Sequence, residues 1–120
     1  MSPRWRILLV AALFAPLAAL AQSGSRLERI KSTGKITVAY AEDARPFSFR
    51  GQDGQPDGYS AELCKRVIAG IQAQLKLAKL EVNWVGASTP ERLKLVAAGK
   101  ADLECGVTTH TLRRQEQVEF

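Results

Sequence analysis

Thr108, Thr109 and Arg114 lie in the run 102–120, DLECGVTTHTLRRQEQVEF, which reads as a strand, a hydroxyl-rich turn and an arginine-bearing helix start. These residue types suit an anion. A guanidinium presents a planar fork that matches a carboxylate in two parallel hydrogen bonds, while threonine hydroxyls and the amides of a helix start satisfy the remaining lone pairs. Ser88, Thr89 and Arg92 repeat the same groups earlier in the chain, and Glu42, Asp43 and Arg45 form a third polar set. The implied ligand group is a carboxylate or a similar small anion.

Each of these residues also has a structural reading. Arg113 and Arg114 are adjacent on a short helix, so at most one is expected to face a given cleft. Thr108 and Thr109 read equally as turn closers or as the cap of the helix that follows. Arg92 reads equally as a surface residue pairing with Glu91 or Glu116, and Glu42 and Asp43 read as solvated loop acids. Glu104 falls within a strand, which favours a structural role over an acid–base one. His110 is the only histidine and stands alone, so neither a metal site nor a cofactor is expected.

The elements that must position these groups alternate between strand and helix. A helix is expected over 26–32, ending near Gly34, and then a buried β-branched strand over 36–40. Residues 41–58, rich in Gly, Pro and Asp, read as loop, with Phe47 and Phe49 in a short edge strand and a hairpin around Asp53-Gly54. From Tyr59 a helix follows, with Leu63, Val67, Ile71 and Leu75 at four-residue steps as its inward face and Cys64 and Ile68 on the flank. Residues 80–85 alternate as a strand. Ser88-Thr89-Pro90-Glu91 opens another helix, through a capping box from Ser88 or a Thr89 cap with Pro90 at the first helical position, and Gly99 closes it. Residues 102–107 supply the next strand. This strand–helix–strand–helix–strand order implies a mainly parallel α/β sheet, with ligands bound beyond the carboxyl ends of the strands, after Tyr40, Val85 and Val107.

Arg4 and Arg6 precede an apolar run over 7–20 that ends in Ala19-Leu20-Ala21, the pattern of a secretory signal peptide. The run is interrupted by Pro16 and is shorter than the roughly 20 residues a membrane span needs. Removing residues 1–21 takes two arginines and no acid, which lowers the formal charge from +5 to +3. The remaining Lys and Arg are scattered without aromatic interleaving, so nucleic acid is not an expected partner. About 100 residues then remain, enough for one modest core and at most one lobe. Cys64 and Cys105 make a disulfide possible in an oxidising compartment, but their spacing leaves the pair open as either a bridge or two buried thiols.

The segment GYSAELCKRVIAGI (58–71) followed by STPERLKLVAAGKADLECGVTTHTLRRQEQVEF (88–120) resembles the periplasmic amino-acid-binding proteins of ABC transporters, solute-binding protein family 3. The similarity spans 26–120. It is greatest toward the glutamate/aspartate-binding branch, which shares the pattern DxECGxTT followed by an arginine five residues after the second Thr. PFSF at 46–49 and GYS at 58–60 recur across the wider family.

The resemblance implies an α/β, type II periplasmic-binding-protein-like fold: a two-lobed clamp closing by a hinge on its ligand. The chain is then expected to divide into a signal peptide (1–21), an N-terminal segment of the mature chain (22–34) and an incomplete first lobe (35–120). It further implies a monomer without cofactor that captures an amino acid and meets a permease in the inner membrane. Residue by residue, Arg114 matches the arginine that holds the ligand's α-carboxylate, and Thr109 a hydroxyl beside it. Thr89 and Arg92 match a hydroxyl and an arginine that contact the ligand in the acidic branch, and Gly106, Val107 and Thr108 would offer backbone amides.

Three departures concern specificity. Ala41 stands where the acidic branch has an arginine for the side-chain carboxylate, with Arg45 nearby. Val107 stands where that branch often has serine, and Ala44-Arg45 replaces an aromatic platform before Pro46. The fold also resembles secreted cyclohexadienyl or prephenate dehydratases and the ligand-sensing modules of kinases. A dehydratase needs a general acid at the leaving group, and no motif here places one.

Overall fold

The computed structural model describes residues 25–120, so the signal-peptide pattern lies outside the described residues. The elements, in chain order, are α1 (Arg26–Thr33), β1 (Lys35–Tyr40), β2 (Asp43–Ala44), β3 (Ser48–Arg50), β4 (Pro56–Asp57), α2 (Tyr59–Gln74), β5 (Glu81–Gly86), α3 (Thr89–Ala97), β6 (Leu103–Cys105) and α4 (Leu112–Gln115). Ser25 caps α1, and Gly34 ends it in the left-handed conformation at φ 65°.

Strands β1, β5 and β6 form a parallel sheet in the order β5-β1-β6. The register runs from Lys35 opposite Glu81 to Tyr40 opposite Gly86, and Tyr40 also faces Cys105. Strand β1 is therefore central, with the later strands added on either side of it. This change of direction opens a crevice at the carboxyl ends, where the polar loops emerge.

The expected loop 41–58 contains a second, antiparallel sheet of three short strands in the order β2-β3-β4. Phe49 lies in β3, whereas Phe47 precedes it and is exposed. The expected hairpin is present. Gly54 donates to the Gly51 carbonyl (3.0 Å), Gly51 to the Gln55 carbonyl (2.7 Å), and the Asp53 carboxylate accepts from the Gln55 amide (3.0 Å).

Ile36, Val38 and Tyr40 alternate onto one face of β1, where they pack with Ile30 of α1, Ile68 of α2, Leu80 and Cys105. Ala39 on the other face is also fully buried, and α3 packs on β1 and β6 with Leu93 buried. A strand covered on both faces explains why 36–40 reads as apolar without strict alternation.

The inward face of α2 differs from the expected stripe. Leu63 and Val67 are 44% and 51% exposed, while Ala61 and Ile68 are buried and Cys64, Ile71 and Leu75 pack against the core. Both sets recur at helical spacing, so periodicity alone does not choose between them. Cys64 does, because it forms a disulfide with Cys105 (Cα–Cα 6.3 Å) and turns that side of α2 toward the end of β6.

Candidate functional site

Helix α3 begins where β5 ends. Ser88 is its N-cap in a capping box with Glu91, and its amide and hydroxyl donate to the Glu91 carboxylate at 3.0 and 2.6 Å. Those bonds hold the Glu91 carboxyl below its usual range. The first turn so fixed aims Arg92 inward, and the residue is 2% exposed.

Arg92 is held on every side. Its Nε donates to Glu104 Oε1 (2.6 Å), Nη1 to the Ala87 carbonyl (2.7 Å), and Nη2 to the hydroxyls of Thr89 (2.9 Å) and Thr108 (3.2 Å). Thr108 in turn donates to Glu104 Oε1 at 2.9 Å. The surface-pairing alternative with Glu91 or Glu116 is therefore replaced by an ion pair that ties α3 to β6. Glu104 has the structural role expected of it.

Gly106 lets this cluster close. A Cβ built there would lie 2.7 Å from Glu104 Oε1 and 3.0 Å from Arg92 Nη2, both already held by hydrogen bonds. Val107 follows and is half exposed. Among the described residues, nothing accepts a hydrogen bond from the backbone amides of Val107, Thr108 or Thr109, which leaves those donors available.

The turn after β6 then delivers Arg114. Its Nη1 donates to the Thr109 carbonyl (2.7 Å), which braces the guanidinium against the backbone of the turn. The cap of α4 is neither Thr108 nor Thr109 but Thr111, whose hydroxyl accepts from the Arg114 amide at 3.2 Å. Sequence reading passed over Thr111, although a threonine just before the apolar Leu112 is the ordinary cap signal.

Thr109, Arg113 and Arg114 line one open cleft together with Pro90 and Lys94. The expectation that only one of the two arginines would face a cleft does not hold, because α4 is a single turn and the opening is broad. Thr89, Arg92 and Thr108 form the neighbouring cluster, and the adjacent residues Thr108 and Thr109 join the two groups.

At the end of β1 the loop acids part company. Asp43 is exposed, but Glu42 pairs with Arg50 and accepts from the Tyr40 hydroxyl at 3.3 Å. Burial, with the Glu42 charge and hydrogen bond adding to it, pushes the Tyr40 phenol up, and the bond to Glu42 raises Arg50 further. Arg45 lies 3.8 Å over the Phe49 ring, so its guanidinium stacks on the small sheet. Ala41 is buried and presents no polar group to the crevice.

Behind these loops the backbone is pinned from two directions. Asp102, nearly buried, pairs with Arg29 of α1 and accepts from the Thr37 amide at 2.8 Å. Ser48, fully buried, donates to the Ala41 carbonyl at 2.8 Å and lies 3.3 Å from the Cys105 carbonyl. The disulfide then fixes Cys105 to α2, one residue before the Gly106 turn.

A parallel sheet with its polar loops gathered at the carboxyl ends of strands ordered β5-β1-β6 is the first-lobe arrangement of a type II solute-binding protein. Residues 36–120 match bacterial extracellular solute-binding proteins, family 3, and the chain belongs to that family. It is 38% identical over 114 residues to the L-glutamate/L-aspartate-binding protein of Pseudomonas aeruginosa, covering 94% of this chain and 37% of that one. Identity to the glutamate/aspartate import solute-binding protein of Escherichia coli is 32% over 98 residues, 82% of this chain and 32% of the relative. The chain thus spans about a third of the length of these relatives.

Among solved structures, an ancestral cationic amino acid solute-binding protein superposes with a TM-score of 0.68 at 26% identity, over 80% of this chain and 39% of its own. The solute receptor for L-cysteine of Neisseria gonorrhoeae gives the same TM-score and identity, over 80% and 37%. These neighbours bear out the type II α/β fold. A cyclohexadienyl dehydratase of Pseudomonas aeruginosa is also similar, at 30% identity over 86% of this chain and 36% of the enzyme.

Proposed function

We propose that the protein is the periplasmic substrate-binding component of an ABC transporter, capturing a polar amino acid and delivering it to a permease in the inner membrane. The observation that carries this reading is the Thr109–Arg114 turn at the carboxyl end of β6. There a guanidinium braced on the Thr109 carbonyl lines an open cleft with Thr109, next in the chain to backbone amides that no group among the described residues engages. The relatives whose names specify glutamate and aspartate support an amino acid as the ligand. Residues 1–21 would act as the signal peptide that brings the chain to the periplasm, 22–34 would lead in, and 35–120 would form the first part of lobe one.

In this reading Arg114 holds the α-carboxylate, assisted by Thr109 and the amides of Gly106, Val107 and Thr108, while Thr89 and Arg92 stand toward the ligand's other end. The work is capture and release, without bond breaking. A dehydratase reading draws on the similarity to a cyclohexadienyl dehydratase, but such an enzyme needs a free general acid. Glu104, the acid nearest the cluster, already accepts from Arg92 and Thr108.

Calorimetric titration of the full-length protein with amino acids tests the proposal. Arg114→Ala should weaken binding by about 2–4 kcal/mol, as expected when one partner of a desolvated charge pair is truncated. Arg113→Ala should cost less, since Arg114 is the one braced on Thr109. Unchanged affinity in Arg114→Ala would remove the basis for the assignment.

A further inference from the structure

We infer that the Cys64–Cys105 disulfide governs ligand affinity as well as stability: reduction by a dithiol leaves the lobe folded but loosens the ligand-holding turn, and reoxidation restores capture. The inference rests on reading this crevice as an amino-acid site. The chain's two cysteines are both in the bridge, which joins α2 to the last residue of β6. Gly106 and the turn that carries Thr109 and Arg114 begin at the next residue.

That turn has little else to fix it. The amides of Val107, Thr108 and Thr109 engage no group among the described residues. The bond from Arg114 to the Thr109 carbonyl and the Thr111 cap on the Arg114 amide both lie within the turn and its own helix, so they shape it without anchoring it. Thr108 reaches outward, to Glu104 at 2.9 Å and Arg92 at 3.2 Å. Strand β6, three residues long, pairs with Val38–Tyr40 of β1. The Ser48 hydroxyl has one proton to give, and it lies 2.8 Å from the Ala41 carbonyl but 3.3 Å from that of Cys105, so it favours Ala41.

The bridge completes this support from the opposite face of the sheet, because successive side chains of a strand point to opposite faces. Cys105 points to α2, whereas a Cβ at Gly106 would lie 2.7 Å from Glu104 Oε1 and 3.0 Å from Arg92 Nη2, on the α3 side. The end of β6 is thus clamped, covalently on one face and by close contact on the other. A loop already held in its bound shape loses less conformational entropy when the ligand arrives. Breaking the bridge removes one jaw of the clamp, so the ligand itself must order the turn, and affinity falls.

The two sulfurs differ in access. Cys64 is partly buried, between the exposed Leu63 and Lys65, whereas Cys105 is 2% exposed. A dithiol therefore attacks at Cys64: one of its thiolates forms a mixed disulfide there, and Cys105 leaves as a thiolate and takes a proton from solvent. The second thiolate of the dithiol then attacks its own partner sulfur and releases Cys64, which is protonated in turn. The dithiol ends as a cyclic disulfide and the bridge as two thiols. Cys105 remains in the core with Ile36, Val38 and Ile68, and Cys64 remains packed against it, so the sheet and α2 stay in place.

The test screens the oxidised full-length protein with the protein amino acids by thermal shift, then titrates it calorimetrically with the one that shifts it most. After reduction with dithiothreitol, confirmed by the appearance of two new thiols, that amino acid should bind about tenfold more weakly, with far-UV circular dichroism unchanged and the amides of 106–109 exchanging faster. Reoxidation should restore the affinity. Equal affinity in the two redox forms overturns the inference and leaves the amino-acid reading intact. Loss of circular dichroism on reduction also overturns it, because the bridge would then be a staple for the fold. Leu80→Ala, in the core just before β5, weakens the lobe but keeps the bridge, and should bind as the oxidised protein does. An equal loss of affinity there would show that affinity merely follows stability, and refutes the switch. Binding of none of the amino acids overturns the amino-acid reading and the inference together.

Discussion

Removing the Glu104 carboxylate should cost far more stability than its place on a three-residue strand suggests. Arg92 is 2% exposed, and the Glu104 side chain is 17% exposed, so the pair is largely out of water. In Glu104→Ala, Arg92 keeps its bonds to Ala87, Thr89 and Thr108 but loses the anion that balances its charge, and Thr108 loses its acceptor. Leaving a buried charge without its partner costs about 3–5 kcal/mol. With a urea dependence of about 2 kcal/mol/M, the unfolding midpoint of the full-length protein would fall by roughly 2 M.

Two further variants separate the charge from the space it fills. Glu104→Gln retains an oxygen for Arg92 Nε and should lose less than Glu104→Ala. The double variant Arg92→Met/Glu104→Leu removes both charges and should be more stable than Glu104→Ala, because no bare cation is left behind. A Glu104→Ala protein within about 1 kcal/mol of wild type, at unchanged slope, would mean that water reaches Arg92 and that the cluster is not a buried unit.

Other predictions address the frame around the site. The Cys64–Cys105 bridge closes a span of 41 residues, so Cys64→Ala/Cys105→Ala should lose about 4 kcal/mol by the loop-entropy relation. Thermal unfolding that is the same with and without the bridge would refute this. Gly58 has φ 105°, and a Cβ there would lie 2.6 Å from the Phe47 carbonyl oxygen, a backbone atom that cannot swing away. Gly58→Ala should therefore destabilise by more than about 1 kcal/mol in denaturant unfolding, and a smaller loss would show that the β3–α2 junction yields. The Glu91 carboxyl is held below its ordinary value of 4.5 by Ser88, so its contribution is present above that value and lost as pH falls through the lowered one. Glu91→Gln should flatten that part of the stability-versus-pH curve between pH 5 and 3, and parallel curves would contradict the assignment.

Arg92 marks the limit of what a linear pattern can convey. Its residue type and position, three after Thr89, point to an anion site, and they say nothing of Glu104 twelve residues later. Only the parallel pairing of β1 with β6 brings Glu104 under α3 and converts an apparent ligand arginine into a nearly saturated one. The same holds for α2. Leu63–Val67 and Cys64–Ile68 both recur at helical spacing, and the disulfide to Cys105 decides which side faces the core.

The residues themselves determined the alternation of strand and helix, the end of α1 near Gly34, the start of α3 to within Ser88 or Thr89, the Asp53-Gly54 hairpin and the family. These depend on local backbone preference and period, which a sequence carries directly. The tertiary structure alone decided the β5-β1-β6 order, the small antiparallel sheet inside 41–58, the disulfide, and which hydrogen-bond donors remain free at the carboxyl edge. Those depend on contacts between residues distant in the chain, where burial and pairing override local preference.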